Sequence, residues 1–445
     1  MIIKNGAVVL PGREKAAAVD IRIRGEKIVE LGQNLAGDEE IIEARGMLVL
    51  PGGIDPHVHF DDPGFTDRED FASGSRFAAS GGITTVIDMP CTSIPPVTTV
   101  ANLEEKLAAV KKKAVIDYGF YGGVCPQSMG EGYPENFREL AEIVFGFKTY
   151  FISGMELFHS LNHFQFCSVL KQANKFGTTI LLHAEDLSYV AAATDYFMGK
   201  GKDPVHYYRS RPEVAETLAI CAALDLQDET GADLHIVHVS TATAAEMIAN
   251  SPATCETAPH YLEYDLDDFI GIGASLKTTP PVKMAGNLEL LWNYLGRGMI
   301  DFAASDHAPC PAAGKQTGSI WTDYAGMPGT GMLLPYLFSE GYRKGRLSLR
   351  RLVEVTSESA ARRYGLYPEK GAIKVGTDGD LVLIDPKESW KVVGENFLSK
   401  GHITPFEGRE LQGLVERTIV RGKTVYRAGA GILAEGVYGR FLCRS

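Results

Sequence analysis

The feature that most constrains this chain is the alternation of short β-like runs with helical stretches through its long middle. Runs rich in β-branched and apolar residues fall at 53–57, 84–88, 116–122, 144–151, 179–183, 234–238, 254–258 and 300–305. Helical periodicity separates them at 71–80, 100–112, 135–143, 164–176, 212–229, 242–250 and 287–296. Parallel strands joined by helices are the economical way to bury such runs, and eight of them predict a (β/α)8 TIM barrel. The ends have a different texture. Residues 2–9, 18–24 and 27–31, and again 381–384, 415–421 and 423–426, alternate around glycine-containing turns and predict antiparallel strands. The expected organisation is a small β-sandwich built from both chain ends, residues 1–50 and 366–445, around a barrel spanning 51–365.

The 445 residues are 45% hydrophobic and 22% charged, an ordinary globular composition with length enough for one large domain and a smaller companion. A formal charge of -12 argues against a nucleic-acid partner. No apolar run has the length of a membrane span, and residues 1–6 do not read as a signal peptide, so no membrane association is expected. Cys91, Cys125, Cys167, Cys221, Cys255, Cys310 and Cys443 are odd in number, scattered and without a Cys-x-x-Cys pair. They read as reduced thiols of a cytoplasmic protein.

Barrels of this kind carry their chemistry at the C-terminal ends of the strands, and titratable residues stand there in this chain. Lys148 lies in Gly146-Phe147-Lys148-Thr149-Tyr150-Phe151. Burial penalises its ammonium form. The neutral amine can capture carbon dioxide as a carbamate, a two-oxygen anion able to hold two divalent cations side by side. His57 and His59, at period two, project to one side and reach a single ion. His183 and His238 end the fifth and sixth runs, and Asp306 follows the eighth, with Leu181, Ile236 and Ala304 expected on the inward faces below them. His235, an odd number of residues from His238, is expected to face the helices as a structural histidine. His260, just past the seventh run, is a candidate for substrate contact or ligand support. Glu185 and Asp186 either orient ligands or cap a helix.

With these residues assembled, the chain resembles the amidohydrolase superfamily, in particular its cyclic amidohydrolases: dihydroorotases, allantoinases and hydantoinases or dihydropyrimidinases. The resemblance runs through Pro51-Gly-Gly-Ile-Asp-Pro-His-Val-His59, Gly82-Ile-Thr-Thr-Val-Ile-Asp-Met-Pro90, Gly146-Phe-Lys148, His183-Ala-Glu185, His235-Ile-Val-His-Val-Ser240 and Ser305-Asp-His-Ala-Pro309. It implies the barrel plus β-sandwich and a pair of divalent metal ions, commonly zinc. One ion takes His57, His59 and Asp306, the other His183 and His238, with carboxylated Lys148 bridging them. It also implies hydrolysis of a small-molecule cyclic amide, with Asp306 as the catalytic group that moves a proton from water to the departing ring nitrogen. Relatives are often dimers or tetramers, so a homo-oligomer is expected.

The resemblance also discriminates among substrates. Dihydroorotases typically read His-x-His-x-Arg, the arginine gripping a carboxylate; here the last position is Asp61. Their asparagine after Met-Pro is Cys91, and their histidine after Asp-His-Ala-Pro is Cys310. Exchanging a bidentate arginine for a carboxylate turns an attraction of about 2 kcal/mol into repulsion for an anionic substrate. His59-Phe60 followed by Asp62-Pro63-Gly64, Asp88-Met-Pro90 leading into Ser93-Ile-Pro-Pro96, and Ser305-Asp306-His307-Ala308-Pro309-Cys310-Pro311 resemble allantoinases instead. The expectation is therefore an allantoinase-like enzyme acting on a cyclic ureide, with Asp61 accepting from a ureido NH2. Cys91, His260, Cys310 and Thr279, within 275–281, are further candidate substrate contacts, and 314–331 is long enough for a lid. Hydantoinase or dihydropyrimidinase and dihydroorotase are the alternatives. A non-catalytic scaffold relative is disfavoured because all six ligand positions are filled.

Overall fold

The computed structural model describes residues 1–130, 132–434 and 437–444. Its centre is a series of parallel strands: β1 (Gly53–Val58), β2 (Ile83–Asp88), β3 (Asp117–Phe120, resuming at Gly122–Gly123), β4 (Phe147–Tyr150), β5 (Thr179–His183), β6 (Asp233–Ile236), β7 (Thr254–Thr257) and β8 (Phe302–Ala303). Each pairs with the next in parallel register, β1 to β3 in one sheet and the resumed β3 to β8 in another. An isolated parallel bridge between Val58 and His307 links the two ends of the series.

Strand side chains divide between two apolar clusters. Ile87, Met89, Leu181, Val237 and Phe302 meet in one. Val86, Ile180, Leu182, Leu234 and Ile236 pack in the other, with Phe77, Leu103, Val169 and Ile220 from the intervening helices. Period-two alternation produces this division. The helices begin where the sequence supplies caps: Asp70 accepts from Ser73 N at the start of α1 (Phe71–Ser80), and Asn162 with Gln165 forms a capping box ahead of Phe164. Gly146 precedes β4 at φ 158°, and a side chain there would stand 2.9 Å from Thr179 O, so only glycine lets β4 lie this close to β5.

Both chain ends meet in one seven-strand sheet, where Leu48–Pro51 pairs antiparallel with Leu381–Lys391. A four-strand sheet from residues 2–43 covers it, and Ile3, Ile21, Ile28, Val49, Leu383 and Ile419 share the core between them. The last segment leaves this unit: Tyr118 N donates to Arg440 O and Leu442 N to Tyr118 O, laying the tail against β3.

Two helices that periodicity did not reveal, Leu187–Met198 and Pro204–Ser210, follow β5. In the first, Val190 is the one fully buried side chain and apolar residues face all round, so no amphipathic stripe marks it.

Candidate metal centre

The strand ends converge on a cavity of about 810 Å³ lined by His57, His59, Lys148, His183, His238 and Asp306, with Cys91 and Thr279 also in its wall. His57, His59 and Asp306 each offer one donor atom, all within 4.8 Å of one another. Asp306 Oδ1 lies 3.3 Å from His57 Nε2 and 3.5 Å from His59 Nε2. His183 Nδ1 and His238 Nε2 face each other at 3.0 Å. Lys148 Nζ is buried without a hydrogen-bond partner among the described residues, 4.9 Å from the Tyr150 ring centroid. A buried ammonium so placed is costly, and burial brings it down to about 8.

Two of these side chains reach the cavity through strained backbone. His238 has φ 40° and Asp306 φ 49°, a region non-glycine residues seldom occupy. The strain has a consequence in β6. Leu234 and Ile236 pack toward the helices, whereas His235 and Val237 face the other way. Strand parity alone would send His238 outward with Ile236; the turn at φ 40° brings it to the cavity instead. His235 therefore does not face the helices, contrary to expectation. It is satisfied as a structural residue, with Nδ1 2.7 Å from Thr254 Oγ1, Nε2 3.3 Å from Glu256 Oε2, and its ring stacked on Phe302.

Glu256 had no sequence signal beyond being an acid within a buried β-like run. Its Oε1 hydrogen-bonds His57 Nδ1 while Oε2 faces His235. Burial opposes its ionisation, but His57 and His235 outweigh that and hold the carboxyl at about 2. This bond points His57 Nε2 at the cavity, the arrangement that second-layer carboxylates impose on metal-binding histidines. Glu185 does the same for His183: its Oε2 lies 3.0 Å from His183 Nε2 and accepts from Arg211 Nη1 at 2.5 Å. Asp186 is a helix cap, accepting from Tyr189 N. Of the adjacent acids, one orients His183 and the other starts a helix.

The charges are mutually dependent. Burial would raise Asp306, yet His57, His59 and His238 hold it well below the usual carboxylate range. Burial alone would lower His59, but its bonds to Asp306 and Cys91 lift it to about 10. Burial keeps His57 and His183 below the usual imidazole value, and His238 far below it. The neutral imidazoles of His57, His183 and His238, the Asp306 carboxylate and an enclosed amine form a donor set suited to divalent cations, and a cation beside Asp306 would take the place of the proton on His59. Orphaned atoms support the fit: besides Lys148 Nζ, His57 Nε2 is buried with no hydrogen-bond partner among the described residues.

Three expected substrate contacts, Asp61, His260 and Cys310, are buried but do not line the cavity. Asp61 faces Arg68, whose Nε is 3.2 Å from Asp61 Oδ2. His260 packs on Tyr261 at 4.1 Å between ring centroids, and Cys310 lies under the Gly314 turn. Cys91 Sγ sits 3.0 Å from Tyr150 OH and 3.9 Å from His59 Nδ1. From 314–331, Trp321, Tyr324, Ala325 and Gly326 reach the wall.

Asp117, Asp378 and Asp380 also cluster closely. Lys370 Nζ donates to all three, at 2.7, 3.0 and 2.7 Å, and Arg421 pairs with Asp117. That cluster is an ionic lock rather than a cation site.

Residues 48–425 match the amidohydrolase family. The chain belongs to the amidohydrolase family. Among similar amidohydrolases, an allantoinase of Rubrobacter xylanophilus is 38% identical over 99% of this chain and 97% of that protein. An allantoinase of Enterococcus faecalis is 34% identical over 99% of both. The solved structure of L-hydantoinase (dihydropyrimidinase) from Arthrobacter aurescens matches with a TM-score of 0.94 at 33% identity, covering 100% of this chain and 99% of that one.

Proposed function

We propose that this amidohydrolase opens a cyclic ureide by hydrolysing a ring C–N bond, as an allantoinase does. The observation that carries the reading is the convergence of five ionisable ligand side chains around the unpartnered Lys148 amine. His57, His59 and Asp306 would hold one divalent cation and His183 and His238 a second, with Lys148, carboxylated on Nζ, between them. Zinc suits so nitrogen-rich a set. Bound there, two such ions supply Lewis acidity toward the amide carbonyl and lower the pKa of water. Carboxylation joins the neutral amine nitrogen to carbon dioxide with loss of one proton, and the burial that brings Lys148 to about 8 makes that neutral form available.

The remaining work falls to the chain's own side chains. Asp306 receives the proton of the attacking water on its carboxylate and delivers it to the ring nitrogen as the C–N bond breaks. Glu256 and Glu185 keep His57 and His183 in orientation. The wall residues Tyr207, Trp321 and Tyr324 exclude bulk water from the ring.

We read the parallel series as a closed barrel; the bridge from Val58 to His307 supports that reading. Self-association is supported by apolar side chains left in solvent on successive helices, Phe164 at 85%, Tyr196 at 60% and Met198 at 52% exposure. A cytoplasmic location suits seven free cysteines. Among the described residues no helix is long and apolar enough to cross a membrane.

The likeness to hydantoinase structures supports a second reading, hydrolysis of a hydantoin or dihydropyrimidine ring. Turnover of allantoin, hydantoin, dihydrouracil and dihydroorotate by the metal-reconstituted protein separates the readings, with allantoin expected fastest. Hydantoin or dihydrouracil leading would move the assignment to the hydantoinase side. Two ions bound per chain with no ring opened would overturn both.

A further inference from the structure

The loop after β1 carries Asp61 where an arginine stands in carboxylate-gripping relatives, yet a guanidinium still reaches the cavity. It belongs to Arg68. Its Nε lies 3.2 Å from Asp61 Oδ2, at an angle that makes an ion pair without a hydrogen bond. Its planar head sits 4.0 Å over the Phe65 ring and 5.3 Å from the Tyr324 ring. Nε is enclosed, but among the described residues no protein acceptor engages the two terminal nitrogens, and the side chain keeps 20% of its surface exposed.

The other outer-wall cations are already occupied. Arg211 donates to Glu185, and Lys277 to the carbonyls of Asp323 and Trp321. Arg68 is thus a guanidinium restrained on two ring faces and at Nε, with its terminal fork free. A fork fixed in advance binds a planar oxygen acceptor bidentately and gives up little further side-chain entropy.

We propose that Arg68 is the specificity-determining residue for the group a cyclic ureide carries outside its ring. Its Nη1 and Nη2 donate to the oxygen of that substituent, a ureido carbonyl or a carboxylate, and Asp61 is the positioning residue that holds the fork. This rests on the cyclic-ureide reading of the site. An unsubstituted ring makes no use of Arg68, so the residue separates substituted from bare substrates.

The test uses the full-length, metal-loaded protein and the variants Arg68→Met, Arg68→Lys and Asp61→Asn. kcat/KM is measured on allantoin, on hydantoin-5-acetate and on bare hydantoin. Arg68→Met is expected to lose about 10- to 100-fold on both substituted rings, mostly through KM, and less than about threefold on hydantoin. Arg68→Lys recovers only part, since a point charge cannot make the fork, and Asp61→Asn falls between. Loss confined to hydantoin-5-acetate would assign Arg68 to carboxylates alone and overturn the ureido half of the proposal. Equal losses on all three rings, or none, would overturn the whole. Calorimetric binding of allantoate to the chelated protein is the second readout, expected to weaken about tenfold or more in Arg68→Met. It separates failure of this inference from failure of the functional reading. A wild type that opens no ring yet binds allantoate through Arg68 refutes the activity and keeps the fork. If Arg68→Met does not fold, Arg68→Gln takes its place with the same expected split.

Discussion

Lys148 is enclosed with no acceptor for its Nζ among the described residues, an arrangement that destabilises the protein until the amine is neutralised or modified. Burial takes its pKa from 10.5 to about 8, which corresponds to a penalty of about 3 kcal/mol on the ammonium. Lys148→Met is therefore expected to raise the melting temperature of the chelated protein while abolishing turnover. Differential scanning calorimetry beside an activity assay checks both halves, and a lower melting temperature would show the ammonium to be better accommodated than its surroundings indicate. Glu256 acts at the same scale from behind His57. Glu256→Gln keeps the shape but loses the charge that fixes the imidazole, and metal affinity is expected to fall about 10- to 100-fold. Titration of the chelated variant against a competing chelator measures it.

At the scale of elements, strand ends and loops do different work. Strand periodicity was readable wherever the backbone stays extended, which is why Leu181 and His183 fall on the expected side of β5. It misleads at β6, because parity counts residues and the positive φ of His238 breaks the count. The segment 274–326 behaves as one electrostatic unit. Lys315 Nζ donates to Ala274 O and Lys277 O, and burial brings Lys315 to about 7 and Lys277 to about 8. Their ordinary value is 10.5, so between these limits the unfolded chain binds more protons than the folded one. Stability of the chelated protein should then rise with pH from about 7 toward 10, and the gain should shrink in Lys315→Met. Urea denaturation at pH 7.5 and 9.5 tests the sign; a flat or falling midpoint would contradict it.

Across the whole molecule, the lock formed by Asp117, Asp378, Asp380, Lys370 and Arg421 joins strand β3 to the unit built from both chain ends. Removing one cation leaves buried carboxylates uncompensated. Lys370→Met is expected to cost about 3–5 kcal/mol of unfolding free energy. Its turnover and metal content below the melting transition should match the wild type, because the lock shares no residue with the cavity. Equilibrium denaturation with parallel metal analysis measures both. By itself the amino-acid order determined the alternation of strand and helix and which six ionisable side chains stand at the cavity, because periodicity and side-chain chemistry are local properties. Tertiary structure alone decided that Glu256 orients His57 from 199 positions away, that His235 turns inward, and that Arg68 rather than Asp61 faces the cavity. Those outcomes depend on backbone angles at strand ends and on which distant segments pack together, and neither is encoded in any short stretch of chain.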